Sequence, residues 1–296
     1  LLPNAVADGE RLFDGKHHIV GYDLWNLRGI LCAAEIALVL GEKEDAKEFR
    51  KEAKSYRAAI NAAWKRTGLD YFPPSWEKDG THWGNTETLW PTELFERNDP
   101  RIVEQIRMLR EDYLGGFTEG TIRWISPARK WVIHPYMGMY TVMSDLIRGK
   151  DEQVVEDFYW YLLHTTAAHA FPEGIFYKQR KAWRNTIPHV TGASNYAIMF
   201  RHMLMHEAND QLYLLQAVPD WWLGEGMEIL VEHAPTHFGE MNMIVRGKAK
   251  GVEIELDKPK RNPPEKIFLT LPQSRPLLNS LDGVEVVVRE DQVERW

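Results

Sequence analysis

The chain has 296 residues, a net charge of −7, twelve tryptophans and one cysteine, Cys32. This length is enough to bury a sizeable core in one large domain or two. The acidic balance argues against a nucleic-acid-binding surface. A single cysteine excludes an intrachain disulfide framework, which slightly favours a cytoplasmic location. Neither a membrane-spanning apolar run nor a signal-peptide pattern is evident, so we expect no membrane partner.

Apolar residues recur at helical spacing in successive pairs of segments. The first pair covers about residues 24–40 and 46–63, and Gly41 lies at the turn between them. Glycine commonly caps a helix at its carboxyl end, so this pair predicts a helical hairpin.

The same unit recurs twice along the chain. We expect a short helix at 86–96 followed by one at about 102–113, with Asn98-Asp99-Pro100 supplying the stop and the next helix start. A third pair covers 135–148 and 151–167, and a seventh helix covers about 194–207. This spacing predicts stacked helical hairpins.

The hairpins are joined by three long links, at about 67–85, 115–134 and 168–189. Structureless links of roughly twenty residues are uncommon unless they have a function. Aromatic, acidic and histidine residues are concentrated in them, namely Trp76, Trp83, Glu119, Trp124, His134, Glu173, Trp183 and His189. We therefore expect a functional site built from these links, although packing loops would explain the same residues.

The pattern changes after Glu207. Residues 212–215 resemble a short strand, and apolar and polar residues alternate around Val252, Ile267 and Val284. Such alternation is typical of half-buried strands. We therefore predict a toroid-type helical domain at 1–225 and a small antiparallel, β-sandwich-like domain at 226–296.

No sequence motif for a nucleotide, a metal or a nucleophilic serine is evident. His202 and His206 are four residues apart on a predicted helix, but a packed or solvated role is the more common one. We expect no cofactor and no metal. What remains is a set of carboxylates among aromatic residues, and a carboxylate pair is the minimum requirement for glycoside hydrolysis.

Several segments resemble inverting six-hairpin glycosidases. The segment Gly21-Tyr22-Asp23-Leu24-Trp25-Asn26 is similar to the start of a barrel helix in glucoamylases. Residues 171–174 and 188–195 resemble the general-base segment of glucoamylases, trehalases and α-L-rhamnosidases. Residues 200–204, 214–219 and 234–239 resemble the junction between helices and β-domain in bacterial six-hairpin enzymes.

The resemblance implies a mainly α fold, part of an (α/α)6 toroid, followed by the β-domain. A complete toroid has twelve helices, so about five would be missing before residue 1. The resemblance therefore also implies a longer protein or a second chain that completes the ring. The implied activity is hydrolysis of a carbohydrate with inversion at the mouth of the toroid.

The resemblance assigns roles to individual residues. Glu173 matches the general base. Asn26 stands where glucoamylases have their acid, so we take Asp23, which fits the trehalase pattern, as the candidate acid; its alternative role is helix capping. Glu87 and Glu119 are reserve carboxylates. The expected substrate-binding residues are Trp25, Asn26, Trp83, Glu87, Glu119, Trp124, His134, Trp183, His189 and Asn195.

Two other classes stay open at this point. An epimerase or polysaccharide lyase of the same fold would need a histidine or tyrosine base, for which His134, His164 and His189 are available. A non-catalytic carbohydrate-binding relative would be consistent with Asn26. The configuration of the product would separate inverting hydrolysis from both.

Overall fold

The computed structural model describes residues 1–5, 15–78, 83–125, 131–183, 187–208 and 210–292. The chain divides into two compact units. The first comprises Leu1–Arg148 and His164–Gly192, and the second comprises Gly149–Leu163 and Ala193–Trp296. None of the described helices has the length and apolarity needed to cross a membrane.

The first unit begins with the predicted hairpin. Helix α1 covers Val20–Leu40 and helix α2 covers Lys43–Thr67. Gly41 caps α1 with a left-handed φ of 85°, a conformation that glycine adopts without steric cost. Buried side chains of both helices form one core with Phe72 and Ile102. The predicted hairpin is confirmed.

The next helix of this unit starts as its sequence predicts. Helix α3 covers Pro100–Arg107, with Asp99 accepting the Arg101 backbone N–H as N-cap. It continues as a single π-helical turn, Met108–Asp112. Helix α4 covers Pro135–Ile147 and follows His134 directly.

A small antiparallel sheet joins two of the long links. Its strands are β1 (Arg123–Ile125), β2 (Trp131–Ile133), β3 (Ile175–Phe176) and β4 (Lys181–Ala182), in that order. Ile133 pairs with Ile175, so the segment before α4 lies beside the segment that follows Glu173.

The second unit contains α5 (Asp151–Leu163), most of α6 (Val190–Leu204) and two sheets. One sheet is formed by β5 (Met205–Ala208), β6 (Gln211–Leu214), β10 (Lys266–Pro272) and β11 (Glu285–Arg289), in the order β11-β10-β6-β5. The other is formed by β7 (Glu228–Thr236), β8 (Gly239–Lys248) and β9 (Gly251–Asp257). The two sheets share one apolar core.

The predicted mainly α toroid is wrong. The described residues form six α-helices and three β-sheets and are 41% helical, so the fold is mixed α/β. The helix predicted at 86–96 is only a 3-10 turn, Trp83–Thr86. Pro91 contributes to this, because it has no N–H for a helical hydrogen bond. Parts of the links at 115–134 and 168–189 pair as strands, which no periodic pattern had indicated.

The C-terminal sheets also differ from the prediction. The strands predicted around Val252, Ile267 and Val284 are present, but β10 pairs in parallel with both β6 and β11. The antiparallel description is therefore correct for β7–β9, whereas the β11-β10-β6-β5 sheet is mixed, with β5 and β6 antiparallel. A parallel pair needs a long crossover, and the segment between β6 and β10 supplies it.

Candidate active site

Buried amides hold the 3-10 turn that precedes Glu87. The Asn85 side chain donates to the Phe72 carbonyl oxygen at 2.7 Å, and the Gln105 side chain donates to the Asn85 carbonyl oxygen at 2.6 Å. A Cβ on Gly21 would lie 2.7 Å from the Gly84 Cα, so only glycine allows α1 to approach the turn this closely. This packing sets the position of Glu87 relative to α1.

Glu87 is a buried carboxyl group with two side-chain hydrogen bonds. Glu87 is 3% exposed, and the Trp25 indole N–H donates to its Oε2 at 2.5 Å. Tyr140 forms the second hydrogen bond. Burial raises the pKa of Glu87 to about 7, although both hydrogen bonds act to lower it. A carboxyl group with this pKa can hold a proton near neutral pH and donate it.

The turn that carries Glu173 is packed on two sides. The Trp183 backbone N–H donates to the Gly174 carbonyl oxygen at 2.7 Å, and the His189 N–H donates to Phe171 at the same distance. A Cβ on Gly174 would lie 3.1 Å from two imidazole atoms of His134. The Glu173 backbone is thus held between the β2–α4 junction and the start of α6.

Aromatic rings surround this turn. The His134 ring lies 5.1 Å from that of Trp183, and the Tyr136 ring lies 5.0 Å from that of His189. Burial lowers the pKa of His134 to about 3. Burial also lowers the pKa of His189, while the charge of nearby Glu173 partly opposes this. Both imidazoles are therefore neutral at pH 7.

Two tyrosines of helix α4 lie close to the surroundings of the two glutamates. Tyr136 contacts His189, which interacts with the Glu173 charge, and Tyr140 hydrogen-bonds Glu87. Residues four apart on a helix share a face, with Cβ atoms about 5–6 Å apart. Two tyrosines one helical turn apart on α4 thus contact Glu87 directly and the neighbour of Glu173, His189.

Asp23 occupies a different environment. It is 1% exposed, and its Oδ1 accepts from the Leu2 N–H at 2.9 Å and the Tyr56 hydroxyl at 2.5 Å. Its Oδ2 accepts from the Trp76 indole N–H at 2.8 Å. Burial, helped by the Asp23 charge, raises the pKa of Tyr56, and Asn26 also hydrogen-bonds that hydroxyl. These donors support a structural role for Asp23, and its predicted catalytic role stays a prediction.

Glu119 forms a bidentate ion pair. Arg180 donates to its two carboxylate oxygens at 2.6 and 3.0 Å, and the His164 Nε2 lies 2.9 Å from the Glu119 carbonyl oxygen. The pair links the two loops that precede α4 and α6. It supports a role in holding those loops, and substrate binding by Glu119 stays a prediction.

Three further residues, Trp83, Trp124 and Asn195, were predicted to bind substrate. Trp83 and Trp124 lie in the described backbone, but their side chains are outside the described part of the structure. Asn195 is 6% exposed and belongs to α6 in the second unit. Within the described residues, no three metal-ligating side chains cluster in a way that could hold an ion.

The sequence analysis did not single out the two α4 tyrosines, and it named Glu87 only as a reserve carboxylate. The spacing of Tyr136 and Tyr140, four residues apart just after His134-Pro135, was the available signal. The burial of Glu87 and its contact with Trp25, distant in sequence, had no signal in a single chain.

No protein-family model matches this chain, and no curated protein matches it. Solved structures do. They include a glutamate-to-alanine variant of a glycosidase in complex with glucose, the wild-type glycosidase and a second glutamate-to-alanine variant. Each has a TM-score of 0.52 and 11% sequence identity, with 62% of this chain and 51% of that chain covered.

The fold resembles that of a glycosidase. The chain spans about half the length of these similar structures, since the match covers 51% of each. At 11% identity the likeness extends to the fold alone.

Proposed function

We propose that the chain carries the active site of a glycoside hydrolase that cleaves a glycosidic bond with inversion. The observation that carries this proposal is that Tyr140 of α4 hydrogen-bonds Glu87, while Tyr136, one turn earlier, contacts His189 beside Glu173. Glu87 has a raised pKa suited to an acid, and Glu173 is a partly exposed carboxylate beside neutral imidazoles. Similarity to glycosidase structures supports the same reaction class.

Glu87 is the proposed general acid. In glycoside hydrolysis the acid must be protonated before the bond breaks, so that it can give its proton to the leaving oxygen. A pKa of about 7 meets this requirement near neutral pH. Asp23, in contrast, already accepts hydrogen bonds from the Leu2 N–H, the Tyr56 hydroxyl and the Trp76 indole N–H, which supports a structural role.

Glu173 is the proposed general base. Its turn is fixed by backbone hydrogen bonds from Trp183 and His189, so the carboxylate projects from a rigid segment. In the inverting reaction it accepts a proton from the water molecule that attacks the anomeric carbon.

Inversion requires space for that water. The two carboxyl groups of inverting enzymes are roughly 6.5–9.5 Å apart, against about 5–5.5 Å in retaining enzymes. The inverting assignment therefore predicts the longer separation between the Glu87 and Glu173 carboxyl groups. Trp25, which is 43% exposed, and Trp183 are the proposed surfaces for stacking against sugar rings.

The test is hydrolysis of a panel of α-linked glycosides by the complete protein. Glucosides belong in the panel because one similar structure is a complex with glucose. Proton NMR of the first-formed product should show inverted anomeric configuration, and Glu173→Gln should reduce turnover by at least about a hundredfold. A retained configuration would reject inversion, and no turnover on any glycoside would reject the hydrolase.

A further inference from the structure

His189 is fixed between the proposed base and the start of α6. Its backbone N–H donates to the Phe171 carbonyl oxygen at 2.7 Å. Its Nδ1 accepts the Gly192 backbone N–H at 3.1 Å. A side-chain acceptor that binds the N–H three residues later, at the first turn of a helix, is an N-cap. The imidazole therefore has a defined orientation beside the segment that carries Glu173.

The Gly192 hydrogen bond also selects one tautomer. A backbone N–H can only donate, so Nδ1 must present a lone pair, and the neutral ring carries its proton on Nε2. Protonation of Nδ1 would break this bond and place a positive charge at a helix N-terminus, where the helix dipole disfavours it. Burial lowers the pKa of His189 in the same direction.

The described titratable groups that face His189 are Glu173, His134 and Tyr136. The Glu173 charge acts to raise the pKa of His189, His189 acts to lower that of His134, and the Tyr136 ring lies 5.0 Å from the His189 ring. A Cβ on Gly192 would lie 3.2 Å from Nδ1, so any larger residue there would require a shift of a few tenths of an ångström. Since Nδ1 faces the helix, the Nε2–H points away from it.

We propose that His189 is a further catalytic residue, whose Nε2–H donates a hydrogen bond to the water molecule that Glu173 activates. This role rests on the proposed function. The water oxygen forms the new bond to the anomeric carbon and passes one proton to Glu173. The bond to the leaving oxygen breaks, and that oxygen takes the proton of Glu87. A fixed donor and a fixed acceptor together orient the attacking lone pair.

Two substitutions separate this role from helix capping. In His189→Asn, the amide oxygen can replace Nδ1 as the cap, but no donor reaches the position of Nε2. In His189→Gln, the longer amide can supply that donor, while the cap is lost. We expect His189→Asn to lower kcat about tenfold with little change in KM and melting temperature, as for loss of one hydrogen bond. His189→Gln should retain more of kcat but melt a few degrees lower.

A measurement independent of activity completes the test. Nitrogen-15 NMR of the full-length protein should show His189 neutral with its proton on Nε2 at pH 7, and the His189→Asn spectrum identifies the signals. A proton on Nδ1 would overturn the proposal. An equal loss of kcat in the two variants would also overturn it. So would a loss of kcat that is larger in the variant with the lower melting temperature. Absence of glycoside turnover by the wild-type protein would instead reject the proposed function, and the water-binding role with it.

Discussion

The Trp25 indole N–H donates to the Glu87 carboxylate across 62 residues of sequence, with 2.5 Å between the two atoms. A hydrogen bond to a carboxylate favours its ionised form, whereas burial favours the protonated form. In Glu87 burial prevails, and the pKa is raised to about 7. Removing the Trp25 N–H should therefore change the pKa of Glu87 in a predictable direction.

Trp25→Phe should raise the pKa of Glu87 further, because it removes the donor and keeps the ring. If Glu87 is the general acid, the alkaline limb of the kcat/KM profile moves to higher pH by on the order of one unit. Trp76→Phe is the matched control, since the Trp76 indole N–H donates to Asp23. A limb that moves with Trp76→Phe and not with Trp25→Phe would identify Asp23 as the acid.

At alkaline pH, the Glu87→Gln variant should be more stable than the wild type. The folded pKa of about 7 lies above the ordinary glutamate pKa of 4.5, so the folded state binds more protons than the unfolded state between these values. Stability is therefore lost as pH rises from about 4.5 through 7. The glutamine variant avoids this loss, which amounts to at most on the order of 3 kcal/mol.

Thermal melts at pH 4 and pH 8.5 check this linkage. The variant should gain on the wild type at pH 8.5 and show little difference at pH 4. Glu119→Gln is the control, because that carboxylate is paired with Arg180 and its removal should give no such gain. Equal melting temperatures of wild type and Glu87→Gln at both pH values would show that Glu87 is not held protonated.

Asp23→Asn should destabilise the fold. Asp23 accepts three hydrogen bonds, and an amide nitrogen in place of one oxygen leaves a buried donor without an acceptor. The expected cost is about 1–3 kcal/mol, measured by urea unfolding. Turnover per folded molecule should stay near that of the wild type. A variant with normal stability and a large loss of turnover would point to Asp23 as a catalytic residue.

Gly174→Ala should disturb the Glu173 turn. Its Cβ would lie 3.0 Å from Val132 Cγ1 and 3.1 Å from the His134 ring, so the turn must shift by a few tenths of an ångström. We expect turnover to fall by about tenfold or more. Gly29→Ala is the contrast, because a Cβ on this helical glycine meets nothing within 4 Å. It should stabilise the protein by about 0.5–1 kcal/mol with unchanged turnover.

Local sequence signals predicted several elements correctly. Gly41 and the apolar stripes gave the α1–α2 hairpin, Asp99-Pro100 gave the start of α3, and alternation around Val252 gave β9. Each depends on residues close together in sequence. The short strands β3 and β4 are too brief to show a period, so sequence patterns did not indicate them.

The candidate site was predicted only in part. The loop carrying Glu173 was singled out from its composition, but the roles of Asp23 and Glu87 depend on partners far along the chain. Asp23 meets Tyr56 and Trp76, and Glu87 meets Trp25 and Tyr140. A sequence shows which carboxylates exist, whereas burial and long-range donors decide which of them can hold a proton.

The measurement that tests the central claim most directly compares wild type, Glu87→Gln and Asp23→Asn on two glucosides, one with a poor leaving group and one with an activated leaving group. A general acid matters most when the leaving oxygen needs a proton. The account predicts that Glu87→Gln loses at least about a hundredfold on the poor leaving group and far less on the activated one. The same dependence in Asp23→Asn, with Glu87→Gln fully active, would contradict it.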